Sequence, residues 1–329
     1  MQSMLRALIV TLLFPLMVHA QVYLGAEMNT RQLATLDKAR TVVILTGGIL
    51  EQHGPHLPSG TDTYMNEWWA QSLADAIARR PGWKVILFPT IPLGTSGANV
   101  LGGKFAFPGT YTVRPETLRA AFMDLSSELG QQGFRWIFVM HNHGSPLHNL
   151  MLDQAGDYFH DTYGGRMINL PGLLSGPSPP RPLRTPEANK EDGEFEVHAG
   201  MSETSRILFL RPDLVPADYV QAAPRTANSP AEAVAAAKAD SWEGFIGSPR
   251  LASAAFGAQE MRQRAATYNA VALSVLDGSD PRSIPRLSEM AMKSPDIRRV
   301  ETATQNYYDE IARKQRAWLQ KHQGGSAHQ

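Results

Sequence analysis

Short apolar runs recur along this chain, separated by segments whose apolar residues fall at helical spacing. Thr41-Val42-Val43-Ile44-Leu45 is the first run. Its length and β-branched content predict a strand buried on both faces. From Thr63 to Arg79, Met65, Trp68, Trp69, Leu73, Ala76 and Ile77 predict a helix. Lys84 to Pro89 reads as a second strand, and a glycine-rich loop, Gly94 to Asn99, follows it. A helix from Arg114 to about Gln132 carries Pro115 in its first turn, where a missing N–H costs nothing. Arg135 to Met140 is a third strand, about Leu147 to Thr162 a helix, and Arg166 to Leu170 a fourth strand. Strands alternating with helices of this length predict parallel pairing and an α/β layered fold.

The pattern changes after the fourth strand. Pro171 to about Gly193 contains Pro171, Pro177, Pro179, Pro180, Pro182 and Pro186 among Gly, Ser and charged residues. It reads as a long surface loop, with a lid, an inter-subunit arm or a disordered excursion as its alternatives. Ser229 to Ala239 predicts an alanine-rich helix, and Leu251 to Leu276 another, with Gly257 as a point where it could break. A last helix covers about Ile297 to Gln320, ahead of a polar tail. At the other end, Arg6 precedes a mostly apolar run, Ala7 to Val18, and Val18-His19-Ala20 places small residues where a signal peptidase needs them. That run is shorter than the roughly 20 residues that span a bilayer. The expected division is a leader over 1–20, a catalytic domain over 21–280 with the 171–193 insertion, and a helical extension over 281–329. The expected location is the periplasm or the medium.

Composition narrows the chemistry. The chain has no cysteine, which excludes disulfides, thiolate ligands and cysteine nucleophiles. Basic and acidic residues balance at 31 each, so nothing points to nucleic acid or an anionic membrane surface as a partner. A hydrophobic content of 43% over 329 residues is ample for one large core.

Glu51-Gln52-His53-Gly54-Pro55-His56-Leu57-Pro58-Ser59-Gly60-Thr61-Asp62 places two carboxylates and two imidazoles just after the first strand. Side chains at i and i+2 of an extended segment share a face, so Glu51 and His53 project together, and the Gly-Pro turn can return Asp62 to them. The histidines are also clustered. Outside the leader and the tail there are seven, and six fall in three segments: His53 and His56; His141, His143 and His148; and His198. Two of these segments follow predicted strands, where parallel sheets bind ligands. Hard oxygen donors with imidazoles suit a hydrolytic metal site.

Four segments in order resemble the creatininase (creatinine amidohydrolase) family: Glu51-x-His53-Gly54-x-His56-Leu57-Pro58-x-x-Thr61-Asp62, Phe107-Pro108-Gly109-Thr110, His141-Asn142-His143-Gly144, and His198-Ala199-Gly200-x-x-Glu203-Thr204-Ser205. The resemblance implies a three-layer α/β/α sandwich with a mostly parallel sheet, assembled as a homo-oligomer, commonly a hexamer. It implies an amidohydrolase that opens a C–N bond of a small amide, often cyclic or formyl, with water activated by two divalent metal ions (Zn, Mn or Fe). Carried over, Glu51, His53, Asp62 and His143 match metal ligands, with Asp62 bridging. Glu203 completes the set and is taken with His198 as catalytic, His198 moving the proton. The competing roles are a helix-end carboxylate for Glu203 and a supporting histidine for His198. His56 is expected to shape its loop, and His141 and His148 are left open, either able to face substrate.

The chain also departs from the family. Creatininase proper has a glutamate two residues after its motif histidine, where Ser145 stands here, and no tryptophan lies between Trp136 and Trp242. Creatinine is therefore not the expected substrate. The alternative reading is a non-catalytic relative that binds a small molecule in the periplasm.

Overall fold

The computed structural model describes residues 22–175 and 185–323. The expected leader and residues 176–184 of the proline-rich stretch lie outside them. Five strands, β1 (Val22–Leu24), β2 (Thr41–Thr46), β3 (Lys84–Leu87), β4 (Trp136–Met140) and β5 (Arg166–Asn169), form one sheet in the order β1-β3-β2-β4-β5. Every pairing is parallel, and Val43 stands opposite both Ile86 and Ile137. The helices are α1 (Thr30–Ala34), α2 (Thr61–Ala78), α3 (Pro115–Gln131), α4 (Pro146–Tyr163), α5 (Pro186–Asp192), α6 (Met201–Leu210), α7 (Pro230–Lys238), α8 (Ala254–Leu276), α9 (Leu287–Ala291) and α10 (Pro295–Gln323).

The central strand shows why the chain layers as it does. All six residues of β2 are buried, and alternate side chains leave the sheet on opposite faces. Val42 and Ile44 join Trp69 and Leu73 of α2 and Met261, Ala265 and Tyr268 of α8. Val43 and Leu45 join Phe122 of α3 and Met151 and Phe159 of α4. Helices thus cover both faces, the three-layer α/β/α arrangement expected. The Trp69 indole also donates to the Met261 carbonyl at 3.1 Å, tying α2 to α8.

Gly257 does not break its helix. It is buried inside α8, where an added Cβ would collide with the Ser205 carbonyl of α6, so the glycine marks a close crossing of two backbones. The proline-rich stretch is likewise built into the body at both described ends. Leu174 N–H donates to the Pro285 carbonyl at 2.8 Å. At the far end, α5 terminates in Asp192, which is buried and accepts from the Ser248 N–H at 2.6 Å. Among the described residues, no helix is long and apolar enough to cross a membrane.

Candidate metal centre

The carboxyl ends of β2 and β4 open side by side, and α2 holds them together. Asn66 Nδ2 donates to the Gly47 carbonyl at 2.9 Å, while Asn66 Oδ1 accepts from the Asn142 N–H at 2.8 Å. After β2 the chain turns through Gly54 at φ 66°. The Glu51 N–H closes the loop onto the Ser59 carbonyl at 3.1 Å, which returns the chain to the start of α2 and sets Asp62 in its first turn. The loop before α6 supplies the rest. His198 pairs with Ile246, Ala199 takes φ 51°, and the Ala199 N–H donates to Glu203 Oε2 at 2.7 Å.

Glu51, His53, Asp62, His143, His198 and Glu203 meet there, all buried except Glu203, which is half-buried. Each histidine is fixed in the same manner. His53 Nδ1 donates to the Glu51 carbonyl at 3.1 Å, His143 Nε2 to the Ser96 carbonyl at 2.9 Å, and His198 Nε2 to the Gln52 carbonyl at 2.5 Å. The other ring nitrogen of each faces carboxylates. His143 Nδ1 is 3.0 Å from Glu51 Oε1 and 3.5 Å from Asp62 Oδ2. His53 Nε2 is 4.0 Å from Asp62 Oδ1 and 3.7 Å from Glu203 Oε2. His198 Nδ1 is 3.9 Å from both Glu51 Oε1 and Glu203 Oε2. A ring nitrogen held by a backbone carbonyl fixes the ring's orientation and aims the opposite nitrogen into the carboxylate cluster, as metal-binding histidines require.

The electrostatics couple the carboxylates to the imidazoles. Burial, reinforced by Glu51, lifts Asp62 to about 6 against the pull of His143 and His53. Burial also opposes charge on Glu51, but His143, His198 and His53 override it and hold that carboxyl well below its usual range. His143 is raised despite burial, chiefly by Glu51. His198 is lowered by burial and by His53. Within the cluster, two ligand-type atoms, His53 Nε2 and Asp62 Oδ2, are buried with no hydrogen-bond partner. Among the described residues, three overlapping sets could each hold an ion: Glu51, Asp62 and His143; His53, Asp62 and Glu203; and Glu51, His53 and His198. Gly97 keeps the approach clear, since a Cβ there would lie 3.0 Å from Glu51 Oε2. Buried carboxylates, imidazole nitrogens aimed at them and unpartnered ligand-type atoms fit divalent cations.

The remaining histidines sit elsewhere. His141 and His148 are fully buried and hydrogen-bonded to each other at 2.9 Å behind His143, so neither faces substrate. Burial holds His141 down to about 3. His56 packs edge-on against Phe245 at 5.0 Å and shapes its loop. Ser145 caps α4, its oxygen accepting from the His148 N–H at 3.3 Å, and its hydroxyl donates to Glu301 Oε1 at 3.1 Å. Glu301 also accepts from Ser96 Oγ at 2.9 Å. No local pattern signals this contact, because Glu301 lies 156 residues beyond Ser145. A cavity of about 370 Å³ opens from the cluster and is lined by Glu51, Asp62, His143, His198 and Glu203 on one side.

The creatininase family, described as creatinine amidohydrolase, matches residues 26–271 of this chain. A mycofactocin precursor peptide peptidase of Mycobacterium ulcerans (strain Agy99) is 28% identical over 259 residues, covering 73% of this chain and 87% of that protein. A creatinine amidohydrolase of Pseudomonas putida is 28% identical over 188 residues, covering 54% of this chain and 68% of its own length. Among solved structures, a creatinine amidohydrolase (creatininase) superposes with a TM-score of 0.57 at 18% identity, over 79% of this chain and 100% of that one. That last likeness is one of fold.

Proposed function

This chain belongs to the creatininase family, and from that premise we propose that it is a metal-dependent amidohydrolase that opens the C–N bond of a small amide. The observation that carries the reading is the way three buried histidines each spend one ring nitrogen on a backbone carbonyl and turn the other toward Glu51, Asp62 and Glu203. A scaffold without a cation has no physical reason to leave His53 Nε2 and Asp62 Oδ2 buried without a partner.

Asp62 belongs to two of the three candidate sets and presents a different oxygen to each, Oδ2 toward His143 and Oδ1 toward His53. That supports a pair of ions with Asp62 between them, Glu51 and His143 on one side and His53 and Glu203 on the other. The donor set of imidazole and carboxylate suits Zn, Mn or Fe. Ions bound there supply Lewis acidity toward the amide carbonyl and bring a water's pKa down toward about 7.

The protein's own part is positioning and proton transfer. Glu51 is held by the Ala98 N–H at 2.7 Å, and Glu203 by the Ala199 N–H, so neither carboxylate is free to swing. His198 lines the cavity with Nε2 pinned to Gln52, which leaves Nδ1 as the atom able to take a proton and pass it to the leaving nitrogen. The leader-like residues 1–20 support export to the periplasm or the medium, and the family resemblance supports a homo-oligomer.

Dialysis against a chelator, followed by assay on a panel of small amides, tests the function. Activity should vanish and return on adding Zn or Mn. Hydrolysis that survives complete metal removal would sink the reading.

A further inference from the structure

The cavity beside the cluster has two unlike sides. Its floor is the polar set just described. The rest of its lining is largely apolar, including Phe195 and Val197 from the loop before α6, and Leu287, Met290, Ile297 and Val300. The second group comes from α9 and α10, beyond residue 271, where the match to the family ends. Met290 is 43% and Val197 36% exposed, so among the described residues the apolar lining reaches solvent. At about 370 Å³, the space holds far more than a reacting amide group.

The wall is anchored. Glu301 of α10, 5% exposed, accepts from Ser96 Oγ and Ser145 Oγ, and so ties the helix to the loops that bear His143 and its carbonyl partner Ser96. One turn onward, Gln305 Nε2 donates to Glu116 Oε1 at 2.8 Å. The Tyr308 hydroxyl donates to Thr112 Oγ1 at 2.7 Å, and Tyr307 stacks on Phe105 at 4.6 Å. These contacts fix the apolar side chains of α10 against the site, and Ser288 Oγ of α9 donates to Asp153 Oδ2 of α4 at 2.6 Å.

We infer that α9 and α10 form a specificity pocket, and that the amide this protein cuts carries an apolar side chain or acyl group seated against Leu287, Met290, Ile297 and Val300. This rests on the amidohydrolase reading and names its substrate class. Burying an isobutyl-sized group there gives a preference of at least about tenfold over a substrate lacking it.

The test compares kcat/KM within two matched sets, Leu-Gly and Gly-Leu against Gly-Gly, and hexanamide against acetamide. Titration calorimetry with hexanoate and N-acetyl-leucine reads the pocket without turnover. The apolar member of at least one set should be preferred, and the set showing it separates a peptide from a simple acyl amide. Met290→Asn, at a half-exposed position, should cut that preference about tenfold through KM and weaken binding of the matching acid, and Met290→Leu should restore both. Equal kcat/KM within both sets overturns the pocket. If no amide is cut but hexanoate or N-acetyl-leucine binds in a Met290-dependent manner, the pocket is supported and the amide reading falls. If no amide is cut and neither acid binds, the pocket is overturned too.

Discussion

Asp153→Asn is expected to stabilise this protein above about pH 6 and to leave its stability nearly unchanged near pH 4. Asp153 lies on the buried side of α4 and accepts from Ser288 Oγ of α9 at 2.6 Å. Burial pushes its carboxyl from 3.8 to about 6, with the Ser288 hydroxyl and Arg286 holding it back only in part. Arg286 is committed to a bidentate pair with Asp157, at 2.8 and 2.6 Å. Because the folded pKa is raised, the folded chain binds the proton more tightly than the unfolded chain. Stability is therefore greatest below pH 3.8 and falls as pH rises to about 6, where the loss levels off. The displacement corresponds to about 3 kcal/mol for ionising the group in place. Asparagine keeps an acceptor for Ser288 and carries no charge, so a gain of about 1–3 kcal/mol at pH 8 follows. Urea unfolding of both proteins from pH 4 to pH 8 measures the difference and cancels the titration of every other group. A variant no more stable than the parent at pH 8, or a gain equally large at pH 4, would refute the reasoning.

Other expectations concern single contacts. His198→Ala should retain metal, read by plasma mass spectrometry, while turnover falls by about 10²-fold or more; loss of metal would make His198 a ligand instead, and an unchanged rate would remove it from the mechanism. Gly257→Ala should cost at least about 2 kcal/mol, because the new Cβ meets the Ser205 backbone and not a side chain that can move; a melting temperature equal to the parent's would contradict the α6–α8 crossing. N-terminal sequencing of protein recovered from the periplasm should begin at Gln21, and an intact Met1 would remove the leader.

Much of this fold was legible because its signals are local. Val42 to Leu45, Val85 to Leu87 and Ile137 to Met140 are apolar runs of strand length, and in a parallel sheet covered on both faces such runs need no alternation to be read. β1 escaped notice because a three-residue edge strand, half-exposed, leaves almost no pattern. α5 was hidden by a proline, although Pro186 sits in its first turn, where the ring is tolerated. Gly257 read as a point where the helix could break, because a sequence does not show which backbone crosses a glycine.

The site divided in the same way. Glu51, His53 and Asp62 are close in sequence and joined by one turn, so their meeting could be anticipated, and His143 and Glu203 were placed by motif. Glu301 and the apolar wall could not be, since they reach the cluster only through the docking of α10, far along the chain. His141 and His148 resembled site residues by position, yet their hydrogen bond to each other turns both inward.

Metal content of the purified protein, measured by plasma mass spectrometry beside an Asp62→Ala variant of confirmed fold, tests the central claim most directly. About two divalent ions per chain in the parent, both depleted in the variant, is the result predicted for an aspartate standing between two sites. A folded parent that takes up no metal even after incubation with Zn or Mn, or a variant that keeps the full complement, would contradict it.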